Sequence, residues 1–560
     1  MDRARRLLEV GYFPSQLPPC FVTYDLAANH AALYTDWVSL QDPPKKGAKV
    51  PRAPIAKLET FSVARAGLLR RITSITNPIS QTYLAVHIAE NWANLLSHYR
   101  QSKLSKSKPR FLKGGSRAAN IPSMQILYDS KIAMSAGYRF MLRTDISRFF
   151  PTIYTHSVPW ALHGKAISKK NTKPTPKYFG NLLDMSLRQC QDGQTIGLPI
   201  GPDTSHVIAE AISAAIDIEL KKKLKSTPPG FRYVDDYYLF FATQSEAESA
   251  LAVLVRSLQD YELQVNFEKT KICSVHEISD DYWTHQLRSF EISKSGQKQL
   301  SSINHYFELA KDLAKKNSDE SVMTYALKRA ASSLVKKDNW PVFESHICHV
   351  AMAYPNTLQI FARLIATYAK YGYPINAERL SRVVNAIIED HAPLGHHSEV
   401  VWCLWICKEI GLSLSEQNID RVSDAHSSPC ALLLMDLHQN GKLCKSPRMS
   451  LWKAQESSQS LHEDLWLLSY EAGIRKWGGL SDTHIIENPH FSKLRALNVH
   501  FYDEHATIKP LFHPRAVALA NHDIDELFDL DDADEMLEYD DGDGGYEGIV
   551  VPEDDEELAL

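Results

Sequence analysis

Two hydrophobic periods divide the chain. Through about residue 300, short apolar runs of strand character alternate with helical stripes; from about 301 to 520 the helical period continues alone. RFMLRTDI (139–146) predicts a strand ending at Asp145, and a helix is expected to begin near Ser157. DTSHVIAEAISAAIDIELKKKL (203–224) predicts a helix with Asp203 as N-cap and lysines near its C-terminal end. FRYVDDYYLFF (231–241) reads as a β-hairpin. Ala247, Ala250, Leu251, Leu254 and Leu258 share one helical face, which predicts a helix over 245–259. Leu263, Val265 and Phe267 then alternate, so ELQVNFE (262–268) is expected to be a strand. Strand, helices, hairpin, helix, strand is the order of a split βαββαβ sheet with helices on one face, an α+β architecture.

The helical half has clean stripes. Phe361, Leu364, Ile365 and Tyr368 form one; Leu380, Val383, Val384, Ile387 and Ile388 form another. SEVVWCLWICKEIG (398–411) predicts a third helix, closed by Gly411. Short connections between helices of this length predict a stacked helix-pair solenoid, although no strict repeat period is visible.

Length and charge refine this picture. A chain of 560 residues exceeds one core, so two or three domains are expected. It has no run of 18 apolar residues, which argues against a membrane span. Its N-terminus lacks the apolar core and cleavage site of a secretory signal. Eight scattered cysteines without a CxxC fit a reduced, cytosolic setting. The net charge of −5 conceals a division: residues 523–560 carry 18 acidic side chains and no Lys or Arg, which leaves 62 basic and 49 acidic residues elsewhere, a net +13. A basic body points to a polyanion ligand. The tail either competes for that ligand or is a disordered, solubilising segment.

Asp235 and Asp236 sit inside an otherwise aromatic and aliphatic run, and burying charge is costly without a partner. Strand ends in this sheet order lie side by side, so Asp145 would converge with the 235–236 turn. Hard carboxylate oxygens suit Mg²⁺, which completes its shell with water and substrate phosphates, and two such ions clamp an in-line displacement. GLPIGP (197–202) supplies a Gly/Pro turn that opens a helix, suited to close backbone approach. The histidine clusters HICH (346–349) and HAPLGHH (391–397) lack two cysteines at zinc-finger spacing and are not expected to bind metal. Cys403 and Cys407 read as core.

DISRFFP (145–151), GLPIGP, YVDD (233–236) and NFEKTK (266–271) occur in the order and at roughly the spacing of motifs A, B, C and D of reverse transcriptases, and the chain resembles that family. The resemblance implies right-hand polymerase fingers and palm: an N-terminal segment and fingers over 1–138, a palm over 139–300, a helical domain over 301–521 and the acidic tail over 522–560. It implies Asp145, Asp235 and Asp236 as ligands of two Mg²⁺ ions (Mn²⁺ as an alternative), Phe150 as a steric gate selecting dNTPs, and Lys269 as the donor of a proton to pyrophosphate. Tyr233 would contact the primer end, and Gly197 and Pro199 the nucleotide. From Arg100 to Arg143 ten Lys and Arg face one acid, Asp129. KGGSRAANIP (113–122) resembles the fingers segment that grips the triphosphate, which implies Lys113 and Arg117. Many relatives carry Gln immediately before the motif B glycine; this chain has Ile196, which cannot make the same hydrogen bonds.

GYFPSQLPP near the start, TDISRFFPTIYTHSVPWALHGK (144–165) and the long helical half resemble the bacterial abortive-infection, defence-associated reverse transcriptases, the AbiK-like "unknown group", across nearly all of residues 1–505. That resemblance implies a HEAT-like helical domain in place of a thumb, anti-phage defence in the bacterial cytoplasm, and DNA synthesis with little or no template. It further implies homo-oligomers, and partners that include a non-coding RNA or a second reverse transcriptase. For protein priming, Tyr24 and Tyr34 are the candidate hydroxyls. A conventional RNA-templated, retron-like enzyme and a non-catalytic nucleic-acid scaffold are the competing readings.

Overall fold

The computed structural model describes residues 1–41, 50–122, 125–277, 282–318, 321–514 and 516–517. The acidic tail expected over 522–560 lies outside the described residues. Strands β1 (Glu59–Ala64) and β2 (Arg70–Ile75) form an antiparallel hairpin. The central sheet consists of β3 (Phe140–Asp145), β4 (Gly230–Tyr233), β5 (Asp236–Phe241) and β6 (Lys271–Ser274). Its order is β4-β5-β3-β6 with every neighbour antiparallel, the βαββαβ topology expected from the element order.

Two expectations are corrected. The last strand is 271–274, not 262–268. Leu263 and Val265 are buried as their alternation implies, but Val265 makes only an isolated bridge to Ile146, beyond the end of β3, and Phe267 is exposed. The edge of β3 itself is occupied by 271–274, which pairs with Phe140–Arg143. The second correction concerns the sheet faces. Leu142, Tyr237 and Leu239 enter the main core with the helices Asp203–Leu224 and Gln244–Gln259. Met141, Phe231, Tyr238 and Phe240 point the other way and pack with Leu127 of the helix Gln125–Ser135, so both faces are covered.

The helical half stacks in two layers. Gly296–Lys316, Trp340–Ala353, Ala377–His391 and Glu416–Ser423 follow one another in one layer; Val322–Ala331, Leu358–Lys370, His397–Ile410, Ser428–Gln439 and Trp466–Arg475 follow in the other. The stripes read from the sequence are the faces between layers: Phe361, Leu364, Ile365, Leu380, Val384 and Ile388 are buried. This stack also carries the β1–β2 hairpin. Arg70 makes a two-pronged ion pair with the fully buried Glu399, and the backbone N–H of Ser428 donates to Glu59 at 2.6 Å.

Gly230 opens the β4–β5 hairpin at φ +135°, a conformation that L side chains rarely adopt. A Cβ there would collide with the Tyr238 carbonyl oxygen and lie 2.8 Å from Leu239 Cα, backbone that cannot yield. Gly230→Ala is therefore expected to lower stability by about 3 kcal/mol or more. Urea unfolding measures this, and a loss below about 0.5 kcal/mol contradicts the geometry.

Candidate active site

Antiparallel register sets Asp145, the last residue of β3, directly opposite Asp236, the first of β5. Two residues, Val234 and Asp235, join β4 to β5. Ile146 N–H donates to the Asp235 carbonyl at 3.2 Å and Asn266 N–H to the Asp145 carbonyl at 2.9 Å, which fixes the motif D loop against the same strand end. The three aspartates predicted to converge do so.

Like charges held this close resist ionisation. Burial, then Asp236, then Asp145 push the Asp235 carboxyl up to about 7. Burial, then Asp145, push Asp236 up as well. Asp145 Oδ2 accepts from Lys269 Nζ at 2.9 Å, but its buried Oδ1 has no hydrogen-bond partner among the described residues. A set of three hard oxygen donors, mutually repelled and with one oxygen orphaned, fits a divalent cation. Lys269 lies in the turn before β6, 67% exposed, and sets a positive charge against Asp145.

The turn is itself held in an unfavourable shape. Val234 has φ +53°, a region costly for a β-branched residue. Arg232 supplies the restraint, and the sequence reading overlooked it. It is fully buried, and its Nη1 donates to the Val234 carbonyl at 2.8 Å. Val234 N–H donates to Ser107 Oγ at 2.7 Å. The remaining guanidinium donors reach Glu210 and Asp217 of the Asp203–Leu224 helix at 2.9–3.2 Å. Tyr237 and Ser102 hydroxyls also donate to Asp217. The available signal was a lone arginine inside an apolar strand, with two acids seven residues apart on one helix face.

The other expected residues divide. Leu198 N–H donates to the Phe150 carbonyl at 2.9 Å and Gly197 N–H to that of Ile153 at 2.8 Å, so motifs A and B lie against each other and bring Phe150 and Gly197 together. Pro199 is buried, while Ile196 is 63% exposed. Lys113 is exposed. Arg117 is not an open cation: its guanidinium donates to Asp203 Oδ1 and to the carbonyls of Phe13 and Gly201. Asp203 is not the N-cap, which is Pro202. Its Oδ2 instead accepts from Ala118 and Ala119 N–H, and its own N–H donates to Gly11 O, where a Cβ would meet Ala118 Cβ at 2.8 Å. This knot ties GYFP, SRAA and the motif B loop together. Tyr233 is buried with its hydroxyl on Pro122 O. The Tyr24 hydroxyl meets Asp503, with the ring 47% exposed, whereas the Tyr34 hydroxyl meets His87 in a partly buried aromatic cluster.

Residues 68–302 match the family model described as reverse transcriptase (RNA-dependent DNA polymerase). The segment that contains the central sheet and the converging aspartates is thus similar to a reverse transcriptase domain. No curated protein matches the sequence. Among solved structures, the chain is similar to apo telomerase from Candida tropicalis truncated from its C-terminal domain (12% identity, 46% of this chain, 56% of that one, TM-score 0.30). It is similar also to the apo telomerase of the same organism (11%, 68% and 70%, TM-score 0.31). A third is Candida albicans telomerase in complex with the TWJ fragment of telomeric RNA (12%, 67% and 68%, TM-score 0.28). The chain spans little more than half the length of the first of these.

Two predictions follow from the turn. Asp236→Asn removes a like charge directly across from Asp145, so in chelator it should raise stability by about 0.5–1 kcal/mol, and added Mg²⁺ should stabilise the wild type more than the variant. Loss of stability in chelator contradicts the repulsion. Arg232→Met leaves Glu210 and Asp217 buried without their cation and should cost about 3–5 kcal/mol, partly recovered by adding Glu210→Gln and Asp217→Asn. Denaturant titration of the three proteins decides it, and an unchanged midpoint in Arg232→Met removes the restraint from the account.

Proposed function

We propose that the protein is a DNA polymerase that adds dNTPs by two-metal nucleotidyl transfer, with little or no external template. The observation that carries this reading is the convergence of Asp145, Asp235 and Asp236 on one strand end, with a buried carboxylate oxygen left over. Asp145 and Asp235 would hold the ions, with Asp236 supporting the pair. Two Mg²⁺ ions, or Mn²⁺, would supply the positive charge that activates the attacking hydroxyl and neutralises the triphosphate. The hydroxyl gives its proton to solvent as its oxygen bonds to the α-phosphorus, the α–β anhydride bond breaks, and pyrophosphate leaves. Lys269 gives that leaving group a proton, from an exposed position one ion pair away from Asp145. Phe150, joined through its backbone to the motif B loop, stands as the gate against a ribose 2′-hydroxyl. Lys113 takes the triphosphate contact alone, because Arg117 serves the Asp203 knot.

Ile196 supports relaxed template use, since an exposed aliphatic side chain beside Gly197 offers a template base or nucleotide no hydrogen bond. The two-layer helical stack after the palm supports a HEAT-like domain in the place of a thumb. The resemblance to abortive-infection enzymes supports a role in anti-phage defence in the bacterial cytoplasm, as a homo-oligomer. Of the two priming tyrosines, Tyr24 is better suited to receive a nucleotide, because burial and its aromatic neighbours enclose Tyr34.

Incubation of the purified protein with Mg²⁺ and labelled dNTPs, with and without RNA, tests this. The expected result is label without template that migrates with the protein after denaturation, is lost on protease treatment and is absent from Asp235→Ala. Label only with template and primer supports the retron-like reading instead. Label in no condition contradicts polymerase function and leaves the scaffold.

A further inference from the structure

The turn HAPLGHH, discounted on its own spacing, meets a third group that the sequence window omitted. His391 ends the Ala377–His391 helix, His396 precedes the His397–Ile410 helix, and Glu399 lies in the first turn of that helix. His391 Nδ1 and His396 Nδ1 are 2.8 Å apart, and each lies 3.7–3.8 Å from Glu399 Oε1. Bonds of about 2.05 Å around a tetrahedral zinc give ligand–ligand edges of about 3.3 Å, a value that the 2.8–3.8 Å edges of this triangle bracket. We propose that His391, His396 and Glu399 bind one borderline first-row divalent cation, Zn²⁺ by preference, at the joint between the β1–β2 hairpin and the helical stack.

The donor chemistry agrees. Two imidazoles and one carboxylate suit Zn²⁺ rather than Mg²⁺, which separates this centre from the aspartate site. Arg70 takes one lone pair on each Glu399 oxygen, and the Ser398 hydroxyl takes a second on Oε2. Oε1 therefore keeps a lone pair on the side of the two histidines. Both imidazoles are about one-fifth exposed, which leaves an entry path and a fourth position for water. Arg70 fits the role of an outer partner that orients the ligating carboxylate.

The position gives the metal a consequence. Ser62 N–H donates to His397 Nδ1, Ala64 N–H to Ser398 Oγ, and Arg70 to Glu399, so the strands dock on the start of the His397–Ile410 helix. A cation there would lock the adjoining turn and brace the hairpin from behind.

The test uses the full chain carrying Asp235→Asn, which removes one ligand of the polymerase site and so keeps the two metal centres apart. After treatment with chelator and reloading with Zn²⁺, one equivalent per chain should survive gel filtration by elemental analysis. Co²⁺ should give the intense visible bands of a tetrahedral site, and Zn²⁺ should raise the melting temperature. His396→Gln and His391→Gln should each weaken Zn²⁺ binding at least tenfold, with circular dichroism confirming that they fold. Substoichiometric zinc, or Co²⁺ with only the pale spectrum of the aquo ion, overturns the proposal and leaves an imidazole–imidazole hydrogen bond. That outcome can be read on the Asp235→Asn chain alone if the histidine variants do not fold. Zinc retained undiminished in both histidine variants also overturns it.

Discussion

Repulsion among three carboxylates is the constraint around which the palm is built. Antiparallel pairing leaves no choice: once β3 and β5 are in register, Asp145 and Asp236 face each other and Asp235 adjoins them at the turn. Burial raises the cost of their charges further. A fold that keeps such a cluster must hold it by force from elsewhere, and the force comes from below. Arg232, buried under the turn, binds the Val234 carbonyl and is itself gripped by Glu210 and Asp217 of the longest palm helix. Strained backbone and crowded charge at one point, with a saturated ionic network behind it, is the pattern expected where a site is arranged in advance for a cation.

The surroundings extend the same logic. The motif B loop that would line a nucleotide site is not left to its glycines. Asp203 and Arg117 fasten it to the N-terminal GYFP segment and to the basic SRAA segment, so three stretches distant in sequence share one charged knot. The β1–β2 hairpin is fastened in turn to the helical stack through Arg70 and Glu399. The motif B loop and the hairpin are thereby each tied down by a buried or half-buried ion pair.

Much of this was legible in the sequence, and the failures have physical causes. Apolar runs located the strands around Asp145 and Asp236, whose two faces are both covered, and the 3.6 period located the long helices. They failed at 262–268, where Leu263 and Val265 are buried without a full strand partner, so alternation reported burial and not pairing. Asp203 looked like an N-cap and Arg117 like a phosphate ligand because each has the right chemistry at the right place in its own segment. Only the fold shows that they satisfy each other. Arg232 passed unnoticed because its partners lie 15 and 22 residues away on another element, and Glu399 because it falls just past the histidine window.

The most direct measurement is anomalous diffraction from crystals soaked in Mn²⁺ with a dNTP. Manganese peaks within coordinating distance of carboxylate oxygens of Asp145 and of the 235–236 turn, with the triphosphate on the same ions, are the predicted result. A nucleotide-bound crystal with no manganese between those side chains, and with Lys269 still paired to Asp145, would contradict it.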